Sequence, residues 1–124
     1  MKLRIRGNSL RLRLTQSEVQ AMGEVGQVEE KIEFPTSEPL VYRLQKTKAG
    51  NPITAAFKDG NITVLVPGDT IDHWVNTDEV GMETHHPLND ENSLRILIEK
   101  DFACLKPRED EDDSDAFSNP ESHC

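Results

Sequence analysis

The chain has 124 residues, with 14 Lys and Arg against 23 Asp and Glu, for a net charge of −9. That length suits one compact domain burying roughly two-thirds of the surface its unfolded form exposes. The acidic balance argues against general nucleic-acid binding, which depends on Lys and Arg neutralising phosphates. Charged residues interrupt the apolar ones at the N-terminus, so it offers neither a signal-peptide core nor a membrane span, and a soluble cytoplasmic protein is expected.

The charge is unevenly spread. Residues 1–46 hold eight basic and six acidic side chains, residues 47–105 four and ten, and residues 106–124 two and seven. Two cysteines, Cys104 and Cys124, are too few for the disulfide framework of a small secreted domain.

In chain order, Leu3 and Ile5 alternate with Lys2, Arg4 and Arg6, and after Gly7-Asn8-Ser9 come Leu10, Leu12 and Leu14 alternating with Arg11 and Arg13, which predicts a hairpin. Thr15-Gln16-Ser17-Glu18 is a capping box opening a short helix over about 16–22, with Val19 and Met22 on one face. Strands are expected from Val25 to Phe34 and through Leu40, Tyr42 and Leu44, separated by Pro35-Thr36-Ser37.

The second half repeats that order. Strands at Ile53 to Lys58 and Ile62 to Val66 flank Asp59-Gly60-Asn61; a helix capped by Asp69 or Thr70 carries Ile71, Trp74 and Val75; strands at Val80 to His86 and Leu94 to Ile98 follow. Glu24-Val25-Gly26 is echoed by Glu79-Val80-Gly81, and Leu40-x-Tyr42-x-Leu44-x-Lys46 by Leu94-x-Ile96-x-Ile98-x-Lys100. The expected fold is therefore α+β: a duplicated β-β-α-β-β unit, about 1–47 and 52–105, forming a mostly antiparallel β-barrel or two-sheet shell with two short helices. Residues 106–124 are expected to be an acidic, flexible tail, in which Phe117 offers an anchor to the body and Glu109 to Asp115 a cover for basic strands.

If the apolar parity faces the core, the other parity gathers Arg4, Arg6, Arg11, Arg13, Lys31 and Arg43, with Glu29 and Glu33 among them. Such a face is either a solvated row of charge pairs or an anion site, because guanidinium forks match phosphate oxygens, and interleaved carboxylates suit a divalent metal bridging a polyphosphate. A separate set, His85, Cys104, His123 and Cys124, has residue types that ligate transition metals but no compact ligand spacing. Adjacent His85 and His86 point to opposite faces of a strand, so only one can join such a site.

The piece Glu29-x-Lys31-x-Glu33 and the duplicated β-rich plan resemble the triphosphate-tunnel (CYTH-like) proteins, which implies inward-facing charge binding polyphosphate. The first strand departs from that family, reading Lys2-Leu3-Arg4-Ile5-Arg6 in place of Glu-x-Glu-x-Lys. Across most of its length the chain also resembles an uncharacterised bacterial family known as a domain of unknown function. Arg4, Gly7, Asn8, Ser9, Arg11, Thr15, Glu18 and Val19 carry that likeness, with the tail from Cys104-Leu105 through Pro107-Arg108 into Glu109-Asp110-Glu111-Asp112-Asp113. It implies a bacterial, cytoplasmic origin and no particular activity.

No nucleophile elbow, phosphate loop or nucleotide fingerprint occurs in the sequence. The expected role is non-enzymatic: binding of an anionic small molecule or an acidic protein segment through the Arg-rich hairpin. A phosphate-ester or polyphosphate hydrolase and a metal-binding accessory protein are the alternatives.

Overall fold

The computed structural model describes residues 1–102 and 115–117. The alternating N-terminal residues form β1 (Lys2–Ile5) and β2 (Ser9–Leu14), joined by a tight turn in which Gly7 adopts φ +54°. Thr15 and Glu18 make the expected capping box of α1 (Gln16–Glu24), where the Glu18 carboxylate accepts the Thr15 N–H at 3.0 Å. β3 (Gln27–Ile32), β4 (Leu40–Thr47), β5 (Thr54–Lys58), β6 (Asn61–Pro67), α2 (Gly68–Asn76), β7 (Gly81–Pro87) and β8 (Ser93–Lys100) follow. The cap of α2 departs from expectation: it is Pro67, whose φ of −61° turns the chain directly out of β6, and Asp69 sits in the first turn, where its charge meets the positive end of the helix dipole.

The fold is α+β, with the eight strands in two sheets ordered β1-β2-β8-β7 and β3-β4-β6-β5. Each sheet takes one hairpin from each half of the chain. The hairpins pair antiparallel, in keeping with the mostly antiparallel plan expected, but at the centre of each sheet β2 runs parallel to β8 and β4 parallel to β6. The reason is geometric: both hairpins of a sheet turn at the same end, so their inner strands point the same way.

No closed barrel forms among the described residues. Between the edge strands β1 and β3 the Met1 main chain makes the seam with side chains: its ammonium group binds Glu18 and, at 3.0 Å, Glu30, while the Tyr42 hydroxyl donates to the Met1 carbonyl at 2.9 Å. Burial, then the nearby Glu30 and Glu18 charges, raise the Tyr42 pKa and keep that phenol protonated.

All four hairpin turns thus lie at one end of the molecule and the two helices close the other. Between the sheets Leu12, Leu14, Ile96 and Ile98 meet Leu44, Val64 and Val66, and Val19, Met22, Ile71 and Trp74 of the helices complete the core. Trp74 satisfies its indole N–H on the Val80 carbonyl at 3.1 Å.

The buried positions correspond between halves: Leu12 with Val64, Leu14 with Val66, Val19 with Ile71, Met22 with Trp74, and Leu44 with Ile98. The Glu-Val-Gly echo is displaced from this correspondence by one residue. Lys46 N–H bonds the Gly26 carbonyl at 2.8 Å and Lys100 N–H the Val80 carbonyl at 2.9 Å, so Gly26 answers Val80. Gly7 likewise answers Asp59, at φ +54° and +52°.

Of the tail, Asp115 to Phe117 pack at the helix end. Phe117 donates its N–H to the Asp101 carbonyl at 2.7 Å and meets Phe102 ring to ring at 5.6 Å between centroids, as the anchor expected of it. The Asp115 carboxylate accepts from Ser17 at the start of α1; that bond, with Thr15, holds its pKa below the ordinary value. Asp115 therefore lies on the helix, away from the arginine strands. Residues 109–114 lie outside the described residues.

Candidate functional site

The side chains of opposite parity to the core form the outer face of the first sheet. Register sets Lys2 beside Arg13 and Arg4 beside Arg11 across β1 and β2, then Arg11 beside Leu97 and Arg13 beside Glu99 across β2 and β8. On β7, Glu83 and His85 stand beside Leu97 and Arg95. Strand alternation has thus collected Lys2, Arg4, Arg11, Arg13 and Arg95 on one surface with Glu83 and Glu99, and Arg6 follows at the turn.

The carboxylates are already engaged. Glu99 takes both Arg11 and Arg13, the latter at 3.1 Å, and Lys2 reaches Asp101 at 3.0 Å. Glu83 accepts from Arg95 at 2.8 Å and faces His85 Nε2 at 2.9 Å. The Arg95 bond first, and the His85 bond second, bring the Glu83 pKa down to about 2. Arg4 and Arg6 are exposed, and no carboxylate among the described residues lies within ion-pair distance of either.

Arg4, Arg6, Arg11 and Arg95, with Ser9 and Leu97, line a concavity of about 130 Å³ on this face. Arg13 does not join them. Arg95 and Ser9 escaped the sequence reading, although Arg95 alternates between Leu94 and Ile96 and so declared its parity. What was missing was the knowledge that the last hairpin of the second half lies against the first hairpin of the first.

That exchange of hairpins also corrects the expectation of one charged face for the whole first unit. Glu29, Lys31 and Arg43 lie on the second sheet, and Glu33 just beyond β3. There Arg43 binds Glu29 at 2.8 Å and Thr63 at 3.3 Å, and Lys31 pairs with Glu33 at 3.2 Å. Among the described residues the charged lining expected of a triphosphate tunnel has no counterpart: apolar core residues pack between the sheets.

The proposed metal set is not assembled among the described residues, where no group of three potential ligands occurs. His85 is exposed and paired with Glu83, while Cys104, His123 and Cys124 lie outside the described residues.

A second concavity was not foreseen from the alternation of residues. At the turn end, where no helix closes the core, a cleft of about 420 Å³ opens between the sheets. Its walls come in corresponding pairs, Ile5 with Phe57, Leu10 with Ile62 and Leu40 with Leu94, and among the described residues no lining side chain is charged. Its polar side chains are occupied: Asn8 donates to the Ser93 carbonyl at 2.7 Å and Ser9 to the Arg6 carbonyl at 2.6 Å. Ile5 and Phe57 remain 60% and 71% exposed at the rim. Ser9 and Leu10 line both this cleft and the arginine concavity, so one hairpin separates the two.

No helix among the described residues is long and apolar enough to cross a membrane. No curated protein and no solved structure matches the chain. The model of a family of unknown function (DUF7009) matches residues 1–121, and the chain belongs to that family.

Proposed function

We propose that the protein is a non-enzymatic binding protein that holds an anionic small molecule on the outer face of its first sheet. The observation that carries this reading is the concavity bordered by Arg4, Arg6, Arg11 and Arg95, in which two guanidiniums have no carboxylate among the described residues while Glu99 and Glu83 are committed to the others. Guanidinium groups that converge with unused donors suit a phosphate or carboxylate, which takes paired N–H bonds. Engagement of both carboxylates by arginine disfavours a divalent metal there, and with it the polyphosphate-hydrolase alternative.

The same reading takes the two halves as copies of one β-β-α-β-β unit, supported by the matched core positions, only one of which has acquired the anion chemistry. Sparse cysteines fit a reducing cytoplasm, where phosphorylated and carboxylated metabolites are at hand.

Thermal unfolding of the full chain with increasing phosphate and pyrophosphate, at constant ionic strength, tests the proposal through ligand-linked stabilisation. Tm is expected to rise with ligand in the parent and in Lys48→Ala/Lys58→Ala, and to stay flat in Arg4→Ala/Arg6→Ala. These exposed substitutions should themselves cost within about 0.5 kcal/mol of stability. An equal rise in Arg4→Ala/Arg6→Ala would remove the arginine concavity as the site.

A further inference from the structure

The uncharged cleft at the turn end and the arginine concavity share Ser9 and Leu10 as a common wall, and Arg6 is placed between Ile5 and Gly7, which both line the cleft. We infer that the cleft takes the apolar part of a free, single-chain amphiphilic anion whose phosphate or carboxylate head meets Arg4 and Arg6. The inference rests on the anion-binding reading and names its ligand class.

Three observations carry it. The cleft's volume of about 420 Å³ falls in the range of small-molecule sites, roughly 300–1,000 Å³. Its interior excludes a charged head, because burying an ion there would leave it unpaired, and its Asn8 and Ser9 side chains already bond backbone carbonyls. Across the hairpin stand the two guanidiniums that meet no carboxylate among the described residues, and they supply the charge the cleft lacks. An apolar site and a cationic site that adjoin in this way match the two parts of an amphiphile.

The test is calorimetric titration of the full chain with a series of monomeric alkyl phosphates, from ethyl to decyl, beside inorganic phosphate, decanol and anionic phosphatidylglycerol vesicles. Each added methylene is expected to tighten binding by about two- to fourfold until the cleft is full. The methyl resonances of Leu10, Leu40, Ile62 and Leu94 should shift with it. Ala55 also lines the cleft, and Ala55→Phe, which fills it, should abolish the chain-length dependence while leaving phosphate affinity unchanged. Phe57→Asn, an uncharged change at the exposed rim on the wall opposite the arginines, should do so without crowding the core and guards against misfolding of the first variant.

Inorganic phosphate binding as tightly as decyl phosphate would overturn the inference and leave the anion reading intact. Decanol binding as tightly as decyl phosphate, with Arg4→Ala/Arg6→Ala unaffected, would overturn both. Binding to vesicles without binding to monomeric alkyl phosphate would overturn the inference in favour of a membrane-docking face.

Discussion

The outer faces of the two sheets present the same backbone positions with different chemistry. Where the first sheet has Arg4, Arg6, Arg11 and Arg13, the second has Ala56, Lys58, Thr63 and Leu65, and where β8 has Arg95 and Glu99, β4 has Val41 and Gln45. The core positions beneath them are alike: Leu12 and Leu14 on one side, Val64 and Val66 on the other, all buried. Parity and pairing thus fix where side chains go, while the residue type at each solvent-facing position is free to differ between sheets. An anion site needs only the outer parity of one of them.

The comparison breaks most visibly in the core. Leu44→Ala and Ile98→Ala empty corresponding, fully buried positions, and each is expected to cost about 2–5 kcal/mol in denaturant unfolding. Costs differing by more than the width of that range would mean that the halves pack differently despite matched register. Gly81→Ala should cost about 1–3 kcal/mol, because a Cβ there would run into the Ile98 carbonyl and lie 2.8 Å from Glu99 Cβ. The matching position on the second sheet is Gln27, so Gln27→Ala should change stability by no more than about 0.5 kcal/mol.

A gain of function sharpens the contrast further. Ala56→Arg/Thr63→Arg, beside the resident Lys58, copies the first sheet's pattern onto the second, and calorimetry should then count two phosphates bound per chain. A stoichiometry that remains at one would show that outer parity alone does not make the site.

The smallest expected effect is electrostatic. Carboxyl carbon titration should give Glu83 a pKa of about 2, returning toward the ordinary carboxylate range in Arg95→Ala. Because the folded value is depressed, the contribution of this pair to stability is present above the unfolded carboxylate pKa and is lost as pH falls through about 2.

Elements and faces were legible in the sequence because alternation and capping are local signals. Leu10, Leu12 and Leu14 faced inward and Arg11 and Arg13 outward as their parity required. The partner of each hairpin was not legible, since nothing in the alternation of β2 distinguishes β3 from β8 as a neighbour. That single unknown split Arg4 and Arg11 from Lys31 and Arg43, hid Arg95, and left the apolar cleft unforeseen, because the cleft exists only where two sheets face each other. Glu30 shows the same limit at one residue: it shares the parity of Val28 in β3, and its partner, the Met1 ammonium group, lies 29 residues away in the chain.

The exchange of hairpins has a consequence for assembly of the chain. Ser9 must find Arg95 before the first sheet has a centre, so closure of nearly the whole polypeptide precedes the reward, and refolding should be slow for this length. Neither half completes a sheet alone. Cleavage at residues 48–53 would therefore give two fragments that gain structure only by complementing one another.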